Sequence, residues 1–286
     1  MPELPELRAH AERLSDALGR ATIERVELLA FTACKTVTPP LDAAVGQPVE
    51  HVALRGKHLL LVTPALTYVV HLMHGGRLEL GGSTAKRPRG GLVRWRLEGG
   101  HVLLLTEAGT ERKAGVWAVT DDPLTQPPLD DLGPDADAVD ADDLGPRLRA
   151  AQARLHTALR DQRIVAGLGR RLANEVCHRA RRSPFTATAR LDADDVAAVA
   201  EALRTVLADS LEEERSRGAF GRAQDRTTAV HGRTGQACPV CGDVVREVAY
   251  RAYTVHYCAT CQTAGKVLAD NTYSRLGIHR DPRGST

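Results

Sequence analysis

The chain has 286 residues, of which 43% are hydrophobic, so it can form two domains of ordinary size, each with an apolar core. Its formal net charge of +2, from 38 lysines and arginines against 36 aspartates and glutamates, indicates no particular partner. No apolar run approaches the roughly 20 residues of a membrane-spanning helix, and charged residues begin at Glu3, so we expect neither a membrane partner nor a signal peptide. The sequence therefore predicts a cytoplasmic protein.

The first predicted element is a helix over residues 3–19, in which leucines and alanines recur at helical spacing and Gly19 acts as a stop. From about Thr22 to Val119 the pattern changes to short strands separated by turns, which predicts an antiparallel β-sandwich or flattened barrel. The segment Asp121–Pro146 is rich in Asp and Pro and is predicted to be a linker. The clearest strands are expected at Ile23–Leu29, His58–Val62, Thr67–His71, Leu92–Leu97 and His101–Leu105.

A helical block follows to about Arg217 and contains a distinctive turn at Gly167–Glu175 (GLGRRLANE). Gly167 and Gly169 permit a tight turn directly before a helix, and the backbone N–H groups at such a helix start bind phosphate. A Gly-x-Gly turn before a helix is common in helical proteins. Its position inside an arginine-rich segment makes a nucleic-acid contact the better interpretation.

That segment is part of a wider segregation of charge. Residues 160–190 contain eight arginines, whereas residues 121–143 contain nine aspartates and no basic residue. A basic segment of this kind is typical of proteins that bind a polyanion, and it also occurs on ordinary solvated surfaces. Charge segregation alone leaves both interpretations open.

The most specific pattern is a pair of CxxC motifs near the C-terminus. Cys238 and Cys241 are followed after 16 residues by Cys258 and Cys261, the spacing of a four-cysteine zinc ribbon with a β-hairpin between the pairs. We expect one structural Zn²⁺, because all four thiolates would bind it and leave no position for a reactive water.

The first six residues (MPELPE) allow two interpretations. Pro and Glu both favour the first turn of a helix, which is the simpler explanation for six residues alone. If Met1 is removed, however, Pro2 presents a secondary amine beside a carboxylate, and an α-amino group has an ordinary pKa of about 7.7–8.0. Such an amine attacks a sugar aldehyde carbon to give an iminium ion, which keeps its charge and acts as an electron sink.

Together these pieces resemble the formamidopyrimidine-DNA glycosylase / endonuclease VIII family of bacterial base-excision repair enzymes, over nearly the whole chain. The resemblance implies an α+β fold: an N-terminal antiparallel β-sandwich with an N-terminal helix, then a helix-two-turn-helix domain and a four-cysteine zinc ribbon. The segments that carry it are residues 1–6, Arg55–Leu61 (RGKHLLL), Leu132–Asp135 (LGPD), Gly167–Glu175, and Val230–Arg233 (VHGR) leading into the ribbon.

The resemblance implies a bifunctional DNA glycosylase and abasic-site lyase. Pro2 would attack C1′ of a flipped-out damaged nucleotide, displace the base and support strand cleavage by β- or β,δ-elimination. Glu3 matches the family's acid/base residue, Glu6 an acidic position that orients the N-terminus, and Lys57 a lysine that binds phosphate beside the lesion. For Lys57 the alternative is a surface lysine at a hairpin.

The implied partner is double-stranded DNA containing damaged bases or abasic sites, bound between the domains of a monomer associated with the nucleoid. The predicted domains are residues 1–125 (catalytic sandwich), 126–146 (acidic linker), 147–229 (helix-two-turn-helix), 230–265 (zinc ribbon) and 266–286 (tail).

The chain departs from the family pattern at positions that contact phosphate. The family's asparagine after the Gly-x-Gly turn is replaced by Arg170, which can also bind phosphate. The hairpin arginine five residues before the third cysteine is replaced by Tyr253, which carries no positive charge. We therefore expect either that Arg251 or Lys266 compensates or that phosphate binding is weaker.

The residues that fill the gap left by a flipped base also differ. The family's His-Leu-Gly-Met run is aligned with His71–His74 (HLMH), and its Arg-Phe pair with Lys113-Ala114, although an alanine cannot wedge into a base step. We expect His74, Arg77 or Arg112 to fill this space. The predicted DNA-binding residues are Lys57, His74, Arg77, Arg112, Lys113, Gly169, Arg170, Asn174, Arg251, Tyr253 and Lys266.

Because of these departures, the sequence does not identify the damaged base that is removed. They also leave open a second hypothesis, in which the protein binds DNA without efficient catalysis. The chain could be a catalytically attenuated protein that binds lesions or abasic sites on the same scaffold, as Tyr253 and Ala114 would favour. The intact Pro2, Glu3 and Lys57 favour the enzyme.

Overall fold

The structure is a computed structural model of the chain, and it describes residues 1–81, 84–86, 88–109, 112–221, 225–251 and 253–268. The described residues form two compact units, Met1–Leu132 with a segment that begins at Glu214, and Gly133–Glu213 with the cysteine-containing segment. Their helices are α1 (Leu4–Leu18), α2 (Ala141–Ala150), α3 (Leu155–Ala158), α4 (Arg170–Arg179), α5 (Ala193–Ser216) and α6 (Ala259–Gln262). Their strands are β1 (Ile23–Leu28), β2 (His51–Arg55), β3 (His58–Val62), β4 (Thr67–His71), β5 (Gly76–Leu80), β6 (Gly91–Leu97), β7 (His101–Glu107), β8 (Gly115–Val119), β9 (Val245–Ala249) and β10 (Thr254–Cys258).

The first unit is a sandwich of two four-stranded antiparallel sheets, with strand orders β1-β6-β7-β5 and β2-β3-β4-β8. Both sheets and the apolar face of α1 contribute to one core, in which Trp95 of β6 meets Tyr68 of β4 edge-on, with ring centroids 5.5 Å apart. Strand β3 is buried on both faces: Leu59 and Leu61 face this core, and Leu60 on the opposite face is covered by Leu129. The predicted α+β class with an N-terminal β-sandwich is confirmed.

Helix α1 forms where the sequence predicts it and presents Leu7, Leu14 and Leu18 to the core. It ends at Gly19, whose left-handed conformation (φ 51°) is favourable for glycine and lets its N–H donate to the Ser15 carbonyl at 3.3 Å. The helix therefore holds the N-terminus of the chain against the sandwich.

The predicted linker is shorter than the sequence suggested. Helix α2 begins at Ala141, inside the segment 126–146, because the Asp140 carboxylate accepts the Asp143 N–H at 2.9 Å and so caps the helix. Leu144 is buried, and the helix continues through Pro146. Clustered aspartates are typical of a linker and also of a helix start, and here the buried leucine decides for the helix.

The second unit combines helices α2 to α6 with the antiparallel hairpin β9–β10, in which Ala249 pairs with Thr254 and Val245 with Cys258. Helix α4 packs against α3 and against β10. The predicted tail over residues 266–286 lies outside the described residues after Leu268. Within the described part of the chain, no helix has the length and apolarity that a bilayer crossing requires.

Candidate functional site

The start of α1 presents a proline next to two buried carboxylates. Met1 is 38% exposed, whereas Pro2 is buried. Glu3 caps the helix with an extended backbone, so Pro2 lies just outside it. Glu6, in the first turn, accepts the Glu3 N–H through Oε2 at 2.5 Å. Because this N–H belongs to the peptide that joins Pro2 to Glu3, Glu6 restrains the direction in which the proline ring faces.

Both glutamates of this turn are withdrawn from solvent, Glu3 being 5% and Glu6 1% exposed. Buried carboxylates are costly, but the N–H groups at the beginning of a helix carry partial positive charge and reduce that cost. Two acidic side chains therefore lie in the turn that directly follows Pro2. Acid/base chemistry on an amine adduct requires such groups.

Lys57 occupies the two-residue turn between β2 and β3. Gly56 has a positive φ of 57°, as a tight hairpin turn requires, and Arg55 and His58 form the last strand pair. Lys57 is only 9% exposed, so it is not the solvent-exposed hairpin lysine of the alternative interpretation. Burial and the nearby Lys57 ammonium lower the pKa of His71 to about 4. The lysine thus lies close to a neutral imidazole.

Two of the residues predicted to fill the gap in DNA lie in the loop after β4 and at the start of β5. His74 is exposed. Arg77 is half-buried: its Nη1 donates to the Gly76 carbonyl at 2.8 Å, and its guanidinium lies 5.4 Å from the centroid of the Phe220 ring. His74 is therefore at the surface, whereas Arg77 is held against the sandwich unit.

The segment before β8 contains Arg112 and the predicted pair Lys113-Ala114. Arg112 and Lys113 are exposed, but Ala114 is 1% exposed and its N–H donates to the buried Glu107 carboxylate at 2.8 Å. Ala114 belongs to the sandwich core. Its side chain is therefore enclosed by the sandwich unit, and the alignment of this position with the family's wedging phenylalanine stays a prediction.

The Gly-x-Gly turn leads directly into α4, as the sequence predicts. Gly167 has a φ of 103°, Gly169 is the N-cap, and Arg170 is exposed as the first helical residue. The turn is supported by Gln162, whose side chain accepts the Gly167 N–H at 3.0 Å and donates to the Leu168 carbonyl at 2.9 Å. No motif distinguishes Gln162 in the sequence, so its role was missed.

Asn174 does not reach a ligand-facing surface, which corrects its predicted DNA contact. It is fully buried on α4. Its Nδ2 lies 2.8 Å from Nδ1 of His231 and 3.3 Å from Nδ1 of His256, and its Oδ1 accepts the His256 N–H at 3.4 Å. Because these contacts use both ends of the amide, Asn174 connects α4 to the ribbon hairpin.

Glu175, the next residue on α4, holds the loop that precedes the ribbon. Its carboxylate accepts the backbone N–H groups of Ala229, Val230 and His231 at 2.7, 3.1 and 2.8 Å. Hydrogen bonds to an ionised acceptor are stronger than neutral ones. In the sequence Glu175 is only the last residue of the Gly167–Glu175 signature, and nothing there connects it to the loop.

The four cysteines predicted as metal ligands come together around the β9–β10 hairpin. Their Sγ atoms lie within 4.8 Å of one another, with 3.9 Å between Cys238 and Cys261 and 3.4 Å between Cys241 and Cys258. Four thiolates bound tetrahedrally at about 2.3 Å from zinc lie about 3.8 Å apart, so the arrangement fits a metal ion. Nε2 of His178 lies 3.3 Å from the Cys238 sulfur, as an outer-sphere partner would.

The tip of the hairpin carries the remaining predicted contacts. Arg251 and Lys266 are exposed, and Tyr253 is half-buried. The Tyr253 ring stacks on Tyr250, with centroids 4.9 Å apart and an interplanar angle of 18°. The Arg160 guanidinium lies 4.4 Å from the centroid of the Tyr253 ring. The sequence shows Arg160 only as one member of the basic segment, because its pairing with Tyr253 connects distant parts of the chain.

Two family models match the chain. The formamidopyrimidine-DNA glycosylase N-terminal domain covers residues 1–116, and the formamidopyrimidine-DNA glycosylase H2TH domain covers residues 132–220. The formamidopyrimidine-DNA glycosylases of Magnetococcus marinus and Chloroflexus aggregans are 30% and 31% identical to this chain over 281 residues, which is 92% of this chain and 100% and 98% of theirs. An uncharacterized formamidopyrimidine-DNA glycosylase-like protein of Mycobacterium tuberculosis is 41% identical over 147 residues, 51% of this chain and 93% of its own length.

Solved structures agree with the fold. The MutM (Fpg) protein from Thermus thermophilus superposes with a TM-score of 0.78 at 28% identity, covering 91% of this chain and 98% of that one. Lactococcus lactis Fpg, bound non-covalently to DNA containing an AP site, superposes with a TM-score of 0.80 at 21% identity, covering 91% and 99%.

Proposed function

Because this chain belongs to the formamidopyrimidine-DNA glycosylase family, we propose that it is a bifunctional DNA glycosylase and abasic-site lyase that acts through Pro2. The observation that carries the proposal is the start of α1, where Pro2 directly precedes the buried Glu3 and Glu6. A protein that only binds DNA has no use for a proline amine placed beside two carboxylates.

In the glycosylase step, the Pro2 nitrogen attacks C1′ of a flipped-out nucleotide. The C1′–N bond to the damaged base breaks, and the base leaves with its bonding electrons and takes up a proton. The Pro2 nitrogen loses its N–H proton and so regains the lone pair that the ring opening requires. Glu3 donates a proton to the ring oxygen O4′ as the C1′–O4′ bond opens, which yields an iminium ion between Pro2 and C1′.

In the lyase step, the iminium ion acts as the electron sink. Removal of a C2′ proton sends electrons toward the positive nitrogen, and the bond between C3′ and its phosphate oxygen breaks. A second elimination at C5′ releases the other phosphate, and water then hydrolyses the adduct to return the amine. Because Pro2 is a secondary amine, its iminium ion cannot lose the charge by deprotonation, so it remains an effective sink.

Lys57 binds a phosphate beside the lesion in this proposal. Its near-complete burial and its tight-turn position support a fixed rather than a mobile ammonium. Burial lowers the pKa of His71 to about 4, so the positive charge at this point comes from Lys57.

The second unit supplies the grip on double-stranded DNA that contains damaged bases or abasic sites. The exposed Arg170 and the N–H groups at the start of α4 are suited to backbone phosphates. The four cysteines would hold one Zn²⁺, which would stabilise the hairpin and supply no reaction step.

A second candidate function is lesion binding without efficient catalysis. The replacement of a charged hairpin residue by Tyr253 favours it. Ala114 does not, because it lies in the core.

Borohydride trapping on a duplex with an abasic site tests the proposal and separates it from the alternative. Correctly processed protein, with Met1 removed as verified by mass spectrometry, should form a covalent adduct with the DNA strand. The adduct should disappear in Pro2→Gly and persist in Pro5→Gly, a control on the same helix turn. If the processed wild type binds the duplex but forms no adduct, the enzyme hypothesis is wrong and the lesion-binding hypothesis is favoured.

A further inference from the structure

The tip of the β9–β10 hairpin contains an aromatic stack where the family has a cation. The Tyr250 N–H donates to the Tyr253 carbonyl at 2.8 Å, which closes the turn, and the two rings stack 4.9 Å apart. Tyr253 also lies nearly parallel to His156, with centroids 6.1 Å apart and an interplanar angle of 18°. These three rings form an aromatic platform that carries no charge of its own.

A guanidinium from another element completes this platform. Arg160 follows α3, and its backbone is fixed on both sides: its N–H donates to the Thr157 carbonyl at 3.2 Å, and its carbonyl accepts from the Gln162 side chain at 2.8 Å. From this position its guanidinium lies 4.4 Å from the centroid of the Tyr253 ring, a cation–π distance.

Arg160 differs from neighbouring arginines in its electrostatic partners. Within the described part of the chain, no carboxylate lies within ion-pair distance of its guanidinium. Three other arginines of the basic segment are neutralised by aspartates, in the pairs Arg163–Asp161, Arg179–Asp209 and Arg182–Asp195. A guanidinium that is positioned by an aromatic ring rather than by a carboxylate keeps its full charge for an anion.

His156 supports the platform without adding charge. It is 2% exposed, so its imidazole is withdrawn from solvent. Burial, followed by the positive charge of Arg160, lowers the pKa of His156 to about 3. The imidazole is therefore neutral at physiological pH, and the charge in this group of residues comes from Arg160.

We propose that Arg160, held over Tyr253, binds a backbone phosphodiester of DNA in place of the family's hairpin arginine. This inference rests on the proposed function, because it assigns one contact to the same DNA. Arginine donates two parallel hydrogen bonds to phosphate oxygens, and the aromatic ring beneath it fixes the plane of the guanidinium. The hairpin thus keeps its role in phosphate binding, with the charge supplied by the residue that follows α3.

The test is the salt dependence of binding to a duplex that contains a tetrahydrofuran abasic analogue. In Arg160→Ala, affinity should fall about tenfold, and the slope of log Kd against log salt should decrease by about 0.9, the value of one lost phosphate contact. Arg204→Ala is the matched control, because Arg204 is an exposed arginine of the same unit that is paired with Glu201 at 2.6 Å. Equal slopes for the two variants would overturn the proposal.

A rescue experiment guards against a simple folding defect. Tyr253→Arg in the Arg160→Ala background returns a cation to the hairpin and should restore the wild-type slope. An Arg160→Ala loss that Tyr253→Arg leaves in place would show a structural role and contradict the proposal.

The analogue cannot react, so these measurements are independent of Pro2. If the wild type binds the duplex but forms no borohydride adduct, the proposed enzyme activity is refuted and the Arg160 phosphate contact is not. A wild type that does not bind the duplex would refute both proposals.

Discussion

The start of α1 and the tip of the β9–β10 hairpin position their functional groups by different means. At the start of α1, consecutive residues place Pro2, Glu3 and Glu6 in one turn, and a hydrogen bond of 2.5 Å between the Glu3 N–H and Glu6 fixes them locally. At the hairpin tip, Tyr253 has no charge, and the guanidinium over its ring comes from Arg160.

The difference follows from what each site must do. In the proposed reaction, attack on C1′ requires one nitrogen in one place, so we expect no other described residue to replace Pro2. Phosphate binding requires a positive charge with suitable donors, and several elements can deliver it to the same location. A departure from the family pattern at a phosphate contact is therefore weak grounds for inferring lost activity.

Cys238→Ser separates the two regions most sharply. Loss of one thiolate should release the metal and unfold the hairpin, so that affinity for an abasic-site duplex falls at least about 100-fold while the sandwich unit remains folded. Binding assays, metal analysis and near-UV circular dichroism of the sandwich tryptophans check this. Cys34→Ser, outside the cysteine cluster, is the control. Unchanged DNA binding in a metal-free Cys238→Ser protein would contradict the ribbon's role.

Glu175→Gln should destabilise the second unit next most strongly. The carboxylate accepts three backbone N–H groups, from Ala229, Val230 and His231, and an amide has only one oxygen to replace it. We expect a loss of about 3 kcal/mol in the free energy of unfolding, measured by urea denaturation. Glu201→Gln, on the exposed face of α5, is the control and should leave it essentially unchanged. Equal losses of unfolding free energy in the two variants would contradict the stabilising role of Glu175.

Acid should destabilise the sandwich unit through its buried histidines. Burial, as the first cause, lowers the pKa of His58 to about 3 and of His71 to about 4, against 6.5 for the ordinary group. The unfolded chain therefore binds more protons below pH 6.5, and stability present above that pH is lost as the pH falls toward 4. At about pH 5 each histidine should cost about 2 kcal/mol.

Denaturation monitored by tryptophan fluorescence at several pH values measures this loss. His71→Gln should remove part of the pH dependence. A free energy of unfolding that is flat over this window would show that these imidazoles titrate normally.

The smallest effect is expected from the two residues that the sequence predicts to compensate for Tyr253. Arg251 and Lys266 are exposed, and within the described residues it is Arg160 that lies over the Tyr253 ring. We therefore expect Arg251→Ala and Lys266→Ala each to weaken DNA binding by less than about threefold. Measuring the DNA affinity of these two variants together with that of Arg160→Ala shows which of the three cations contributes most to binding. A larger loss for Arg251→Ala than for Arg160→Ala would return the phosphate contact to the hairpin itself.

The parts of the molecule that the sequence predicts well are those set by local pattern. Strands β3 and β4 occur at the predicted residues, because alternating and continuous apolar runs between turns have few other solutions. The CxxC spacing likewise predicts the cysteine cluster, since two turns can present four thiolates to one ion.

The parts that escaped prediction depend on contacts between distant segments. Asn174 carries a side chain suited to phosphate, yet its amide is consumed by His231 and His256. Arg160 is one of eight arginines in residues 160–190, and only the folded hairpin singles it out. Composition cannot distinguish a buried polar connection from a binding residue, because both use the same side chains.

The exposure of Met1 beside a buried Pro2 has a practical consequence for preparing this protein. Any extension at that end, whether a retained methionine or a purification tag, turns the Pro2 nitrogen into an amide with no basic lone pair. Under the proposed function, such a preparation would still fold and bind DNA but would lack the covalent chemistry of the Pro2 amine. Recombinant material should therefore carry its tag at the C-terminus, and under the proposed function the removal of Met1 creates the reactive amine.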